Sequence, residues 1–351
     1  MAERVLTSRA LNRSVLDRQL LLGRSTLPIP RVLERVAGLQ TQYAPTGYVG
    51  LWSRITGFRR SDLTKALETR RVVQGTLMRG TIHMVSRAEY HLFGAGTWPS
   101  TREWWARQSR RSGLDPSSYE SLVPKVRERL MDGPARRSEL IDMLVELGFP
   151  KELWAGLGFW LPMVRVPPSG TWERRRADIY ALAEAWVGPR DASEAEGLEH
   201  LLKRYLRGFG PASLTDAANW AGVPVTTLQP VAERMMLRQL RDENGERLID
   251  LPRLPIPDPD TPAPVRFLGT WEAVLLAHAR RSQVLPEEYR GHVFRTRNPQ
   301  SVATFLVDGS VAGTWRFDDG LIKLEPFDTV PRSMRAELEE ETARLTAFHI
   351  G

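Results

Sequence analysis

Two glutamines, Gln40 and Gln42, stand two residues apart in the segment Gly38-Leu39-Gln40-Thr41-Gln42-Tyr43-Ala44-Pro45. A side-chain amide accepts hydrogen bonds at its carbonyl and donates them from its nitrogen, so a pair can orient water or a polar ligand. Neither is a useful general base. On an ideal helix, residues two apart face away from each other. For both amides to serve one site, Gln42 must lie just past a helix end, where the chain turns toward Pro45; a proline biases its predecessor away from helical angles. On residue types alone, capping or solvation of a helix terminus is the better explanation of the pair.

Little else in the chain has catalytic spacing. With no cysteine, disulfides, thiol chemistry and Cys-ligated zinc are excluded. The six histidines form no HExxH or comparable metal spacing. No metal and no cofactor are therefore expected. No positioned lysine offers an amine nucleophile. Arg79 precedes a turn and is a candidate for a phosphate or minor-groove contact.

The elements that must position the glutamines read as helical clusters separated by short strand pairs. Pro28 and Pro30 can open a helix, with Val32, Leu33, Val36 and Leu39 along one stripe. Short helices are expected around Tyr48–Ile55 and Ser61–Glu68, then β-rich runs Val72–Met78 and Thr81–Ser86 joined at Arg79-Gly80. Three helices followed by a β-hairpin is the winged-helix layout.

The pattern recurs. Gly133-Pro134 and Gly210-Pro211 each separate two expected helices, 77 residues apart. Candidate hairpins follow: Val164–Val166 with Ile179–Leu182 around Arg174-Arg175-Arg176, and Gln239–Arg241 with Leu248–Leu251 around Glu243-Asn244-Gly245. After a proline-rich stretch, residues 252–264, come a helix near Trp271–Arg281 and a hairpin, Ala303–Val307 to Ser310–Trp315, turned by Asp308-Gly309. A last helix spans Arg332–Phe348. The expected class is α+β, mainly α: tandem winged-helix modules at 1–112, 113–190 and 191–256, then a β-rich hairpin or barrel-like region at 257–351.

The formal charge is +7, unevenly spread. Residues 1–112 hold 19 basic and 7 acidic side chains, +12, leaving −5 for the remainder. A basic third on a slightly acidic body points to a polyanion partner; the bland alternative is a solvated surface, and 44 arginines also fit a GC-rich genome. No apolar run reaches the roughly 20 residues a membrane helix needs, and Met1–Leu22 lacks the form of a secretory signal. A cytoplasmic, nucleoid-associated monomer without a membrane partner is expected.

The segments GLQTQYAP (38–45), RGTIHMVS (79–86), LLAHARRSQVLPEEY (275–289) and FLVDGSVAGTW (305–315) resemble the AlkZ/YcaQ family of winged-helix DNA glycosylases, over nearly the whole chain. The resemblance implies that a Gln-x-Gln or Gln-x-Asp pair carries catalysis, so that Gln40 and Gln42 take those roles; Gln at 42 lies nearer the AlkZ branch. It implies a monofunctional glycosylase hydrolysing the bond to N7-alkylated, bulky or crosslinked guanine in duplex DNA, in repair or in self-resistance of a toxin producer. It also places His83 near DNA, with a structural role the alternative; His278, Arg280 and Arg281 follow an apolar helix in the matched C-terminal segment and are candidates to grip the DNA backbone, with a solvated helix end the alternative. A hairpin tip at Asp308, Gly309 and Ser310 would press on the lesion, unless its apolar residues are simply core. The rival reading is a non-catalytic winged-helix regulator that reads sequence with its helices.

Overall fold

The computed structural model describes residues 5–279, 282–294 and 301–351, a mixed α+β chain that is mainly helical. One connectivity occurs three times: a helix, a short extended stretch, two further helices, and an antiparallel strand pair whose second strand takes up the extended stretch. In the first unit, helices Ile29–Val36, Ala44–Trp52 and Arg60–Glu68 precede strands Val72–Thr76 and Ile82–Ser86, and Leu39–Gln40 pairs with the latter. In the second, helices Ser118–Met131, Arg137–Glu146 and Trp154–Trp160 precede strands Met163–Arg165 and Ile179–Leu182, with Ala135–Arg136 on the return strand. In the third, helices Glu194–Phe209, Leu214–Ala221 and Val225–Arg234 precede strands Arg238–Asp242 and Arg247–Asp250, with Ala212 bridged to Ile249.

The helix Glu194–Phe209 shows how local sequence and packing agree. Ser193 and Glu196 form a reciprocal capping box at its start. Leu198, Leu201, Leu202, Tyr205, Leu206 and Phe209 recur at helical spacing and are buried. Its opposite number is the long helix Tyr90–Arg111. The two backbones touch where Gly96 meets Gly197, since a Cβ on Gly197 would lie 2.2 Å from the Gly96 nitrogen. A side chain there would force the helices apart.

The sheets cross the unit boundaries drawn from sequence. The first and second strand pairs join through Gln74↔Arg165 and Gly75↔Val164 into one six-stranded sheet. Val5–Leu6 runs parallel to Arg238–Asp242, so the N-terminus completes the sheet of the third unit. The helix Ser8–Arg18 follows it there: Arg18 grips Asp250 with two bonds of 2.7 and 2.8 Å, and Gln19 donates to the Gly208 carbonyl.

The C-terminal region departs from expectation in three ways. The barrel-like element is an open four-stranded sheet in the order Arg266–Leu268, Thr304–Val307, Ser310–Asp318, Leu321–Pro326; its last strand was not anticipated. The helix sought across Trp271–Arg281 is one turn, Ala273–Leu276, because Trp271 sits at φ 54° and the Ala277 carbonyl is taken by the Tyr205 hydroxyl. The closing helix is Arg332–Ile350 and lies on this sheet. No helix among the described residues is long and apolar enough to cross a membrane.

Burial also changes the meaning of the N-terminal charge. Arg13, Arg18 and Arg54 are 1%, 2% and 0% exposed. Arg13 pairs with Asp308, Arg18 with Asp250, Arg24 with Glu341 and Arg54 with Glu272. These basic groups of the first sixty residues meet acidic groups of the last hundred or so. Four of the 19 basic groups of residues 1–112 are therefore internal adhesive rather than part of a free cationic face.

Candidate active site

The turn before the glutamines is built by left-handed backbone. The helix Ile29–Val36 stops at Ala37 (φ 64°) and Gly38 (φ 78°), where a Cβ on Gly38 would meet Val85 at 2.9 Å. Leu39 is therefore buried from a strand, and does not extend the helical stripe. Gln40 lies opposite His83 in that strand pairing, and the Thr41 N–H donates to the Ile82 carbonyl at 2.8 Å. The next helix opens after Tyr43 with Pro45 in its first turn. Gln42 thus sits beyond the helix end as the sequence required, on the bend after the strand Leu39–Gln40, and Gln40 lies past the helix as well.

Both amides are fixed by the neighbouring turn, residues 77–82. The Gln40 Oε1 accepts from Arg79 Nη2 at 2.8 Å, and the Gln42 Oε1 accepts from the Ile82 N–H at 2.9 Å. A guanidinium and a backbone N–H can only donate, so chemistry dictates which end of each amide faces them. Neither amide nitrogen has a hydrogen-bond partner among the described residues. Gln40 is 6% exposed, whereas Gln42 is open to solvent.

Arg79 links this site to the third unit. Its Nη1 donates to the Trp220 carbonyl at 2.6 Å, at the end of the helix Leu214–Ala221. It adopts φ 54°, and its backbone passes Gly222 so closely that a Cβ there would lie 2.8 Å from Arg79 Cα. The side chain expected to reach for a phosphate thus holds a glutamine and a helix terminus.

His83 is buried, and burial, followed by the nearby charge of Arg79, holds its pKa down to about 3. Its Nδ1 lies 3.1 Å from the Thr81 carbonyl and must carry the proton, leaving a neutral ring beside Gln40. His278 is likewise buried, packed on Tyr205 and Phe209 with Nδ1 3.8 Å from Asp216. Burial raises the Asp216 carboxyl, but bonds from His278, the Ala279 N–H and Ser213 outweigh it and hold the group below its usual range. Arg280 and Arg281 lie outside the described residues.

The turn at Asp308-Gly309 is anchored to the protein. Asp308 is gripped by Arg9 and Arg13, and Asn12 donates to the Gly309 carbonyl at 2.8 Å. Ser310 starts the strand beyond it, and Phe305 and Trp315 are core. The turn left exposed in this sheet is the next one, Asp319-Gly320.

One contributor escaped sequence reasoning. The loop between the second unit's strands carries Arg175, whose Nη1 donates to the Tyr43 hydroxyl at 3.1 Å. Trp172 of the same loop packs edge-on against Tyr48 at 5.6 Å between centroids. The three consecutive arginines marked this loop, but nothing in the sequence tied it to residue 43.

The family model described as DNA glycosylase AlkZ-like matches residues 33–348. Among solved structures, the Streptomyces sahachiroi DNA glycosylase AlkZ superposes with a TM-score of 0.82, covering 98% of this chain and 97% of that one at 20% identity. No curated protein sequence matches. The match embraces Gln40, Gln42 and the turn that holds them, and its length leaves one conclusion: the chain belongs to the AlkZ-like DNA glycosylase family.

Proposed function

We propose that the protein is a monofunctional glycosylase that hydrolyses the N-glycosidic bond of N7-alkylated guanine in duplex DNA and leaves an abasic site. The observation that carries this reading is the pair of immobilised amides, Gln40 and Gln42, beside a neutral His83. Such groups are weak acids and bases, and they suit a reaction that needs neither. Guanine alkylated at N7 is cationic, so its departure requires no protonation; ordinary guanine is a far worse leaving group. Weak catalysis then doubles as selectivity for the lesion.

The amides act by position. One lone pair of each carbonyl is engaged by the protein, which stiffens the side chain, and the second can still accept a hydrogen bond from water near C1′. The same oxygens offer partial negative charge to the oxocarbenium-like transition state. The amide nitrogens remain as donors to a lesion or phosphate oxygen. The three helix-and-hairpin units serve as winged helices enclosing one duplex, in a monomer working at the nucleoid. The biological setting is alkylation repair or self-resistance, and bulky or crosslinked guanines belong to the proposed range.

The test is single-turnover release of N7-methylguanine from a duplex. Free base together with an alkali-labile abasic strand is the expected result. Tight binding to one sequence without release would instead establish the regulator reading.

A further inference from the structure

A cavity of about 490 Å³ opens between the first unit and the link that joins the second unit to the third. It lies apart from the glutamines. Ser86, on its wall, ends the strand whose His83 pairs with Gln40, about 10 Å further along at the ordinary rise per residue. Arg71, Arg87 and Arg190 line it from separate places in the chain. Arg71 Nε donates to the Thr69 hydroxyl at 3.2 Å, Arg87 Nε to the Val187 carbonyl at 2.7 Å, and Arg190 Nη1 to the Ala88 carbonyl at 2.8 Å. None of the three has a carboxylate partner among the described residues, whereas Arg13, Arg18, Arg24 and Arg54 each have one. Glu34, the carboxylate of the lining, is taken by Arg31 at 2.7 Å. Ser86 is 2% exposed, and its hydroxyl has no hydrogen-bond partner among the described residues.

We propose that this cavity is a binding site for a phosphate group, separate from the glutamine site and independent of the reaction proposed there. A cleft lined by charges of one sign gathers counter-ions. A phosphate presents several acceptor oxygens, which the fixed fork of a guanidinium matches. Nη1 and Nη2 of Arg71 and Arg87, and Nε and Nη2 of Arg190, are uncommitted among the described residues. Each side chain is meanwhile tethered through its other nitrogen, which lowers the ordering cost of binding. A buried hydroxyl without a partner costs stability, and the Ser86 hydroxyl gains one by donating to a phosphate oxygen. His91 is the single ring of the lining, and its Nε2 is committed to the Gly188 carbonyl at 2.7 Å. With no broader ring for a base to stack on, the site recognises the phosphate itself, carried by a DNA strand or by a free phosphate compound.

The experiment titrates the full chain with inorganic phosphate by calorimetry at constant ionic strength. Wild-type protein should bind it saturably. Arg71→Gln combined with Arg190→Gln should weaken binding by roughly a hundredfold, as two charged donors are lost. Ser86→Ala removes no charge and breaks no hydrogen bond of the folded chain, and should weaken binding by about threefold. An unchanged thermal midpoint checks that each variant is folded. Repeating the titration with a saturating undamaged duplex separates the two sources. Displacement of phosphate assigns the site to a DNA strand, and retention assigns it to a free phosphate compound; either result upholds the site. Absence of saturable binding by wild-type protein would overturn the proposal. Full affinity in Ser86→Ala would do so too, because loss in the arginine variant alone describes a diffuse cationic surface.

Discussion

The three helix-and-hairpin units place a short extended stretch at the same point, yet only one of those stretches presents side-chain amides. In the first unit the residue opposite His83 is Gln40, clamped by Arg79. In the second, Ala135 and Arg136 occupy the equivalent pairing, the alanine buried and the arginine exposed. In the third, Ala212 alone bridges to Ile249. The hairpin turns diverge as well. The first is short and folds back onto both glutamines; the second is long and sends Trp172 and Arg175 to the first unit; the third closes on itself through Asp242, which accepts from the Asn244 and Glu246 N–H groups. Backbone geometry is thus shared, and the first copy differs in that its own turn supplies Arg79 while neighbouring units add Trp220 and Arg175 around it.

If that division is real, stability and chemistry should separate by mutation. The largest effect is expected in the third unit, where Arg18 and Asp250 are both buried and doubly bonded. Asp250→Ala strands a buried guanidinium and should cost about 3–5 kcal/mol in chemical denaturation. A loss below about 1 kcal/mol would show that the N-terminal helix is not held there.

Gln40→Ala and Gln42→Ala should do the opposite. Each should lower the single-turnover rate roughly a hundredfold, with DNA affinity retained and stability changed within about 1 kcal/mol. Arg136→Ala, at the equivalent place in the second unit, should leave the rate within about twofold, as an exposed side chain away from the site. Gln42→Asp should stay active, because a carboxylate oxygen can still accept from the Ile82 N–H. Wild-type rates in both alanine variants would end the catalytic assignment.

Arg79→Met should slow release by about tenfold, through loss of the charged hydrogen bond that holds Gln40, while affinity for DNA changes little. Partial recovery in Arg79→Lys would mark a positioning role; parallel loss of rate and affinity would instead make Arg79 a DNA contact.

A smaller effect should appear with pH. His83 and His200 are held near 3 and His349 near 4, each chiefly by burial. Between those values and about 6.5 the unfolded chain binds more protons than the folded one. These histidines therefore cost no stability above 6.5 and progressively destabilise the fold as pH falls below it. Glu89, raised by burial to about 7, works the other way, stabilising as pH falls from 7 toward its usual range. Three groups against one predict a falling thermal midpoint between pH 6.5 and 4, and a flat profile would contradict it. The release rate should show no histidine titration near 6.5, since His83 is already neutral there.

What the sequence by itself determined was local. Pro28 and Pro30, the apolar spacing from Val32 to Val36, the Gly-Pro-Ala turns and Asp308-Gly309 act over a few residues, and the corresponding helices and hairpin formed near where they were expected. It also singled out the Gln40 and Gln42 segment, through its resemblance to a family. Tertiary structure decided the rest. That Gln40 stands on a strand, with Gln42 on the bend after it, follows from a pairing with residues more than forty positions away, and left-handed angles at Ala37 and Gly38 end the helix early. The fate of the basic N-terminus was equally hidden, because Arg13, Arg18 and Arg54 find their carboxylates more than two hundred residues later. A charge count registers the surplus, but only the folded chain shows which charges face water, since pairing and desolvation depend on partners that composition does not place.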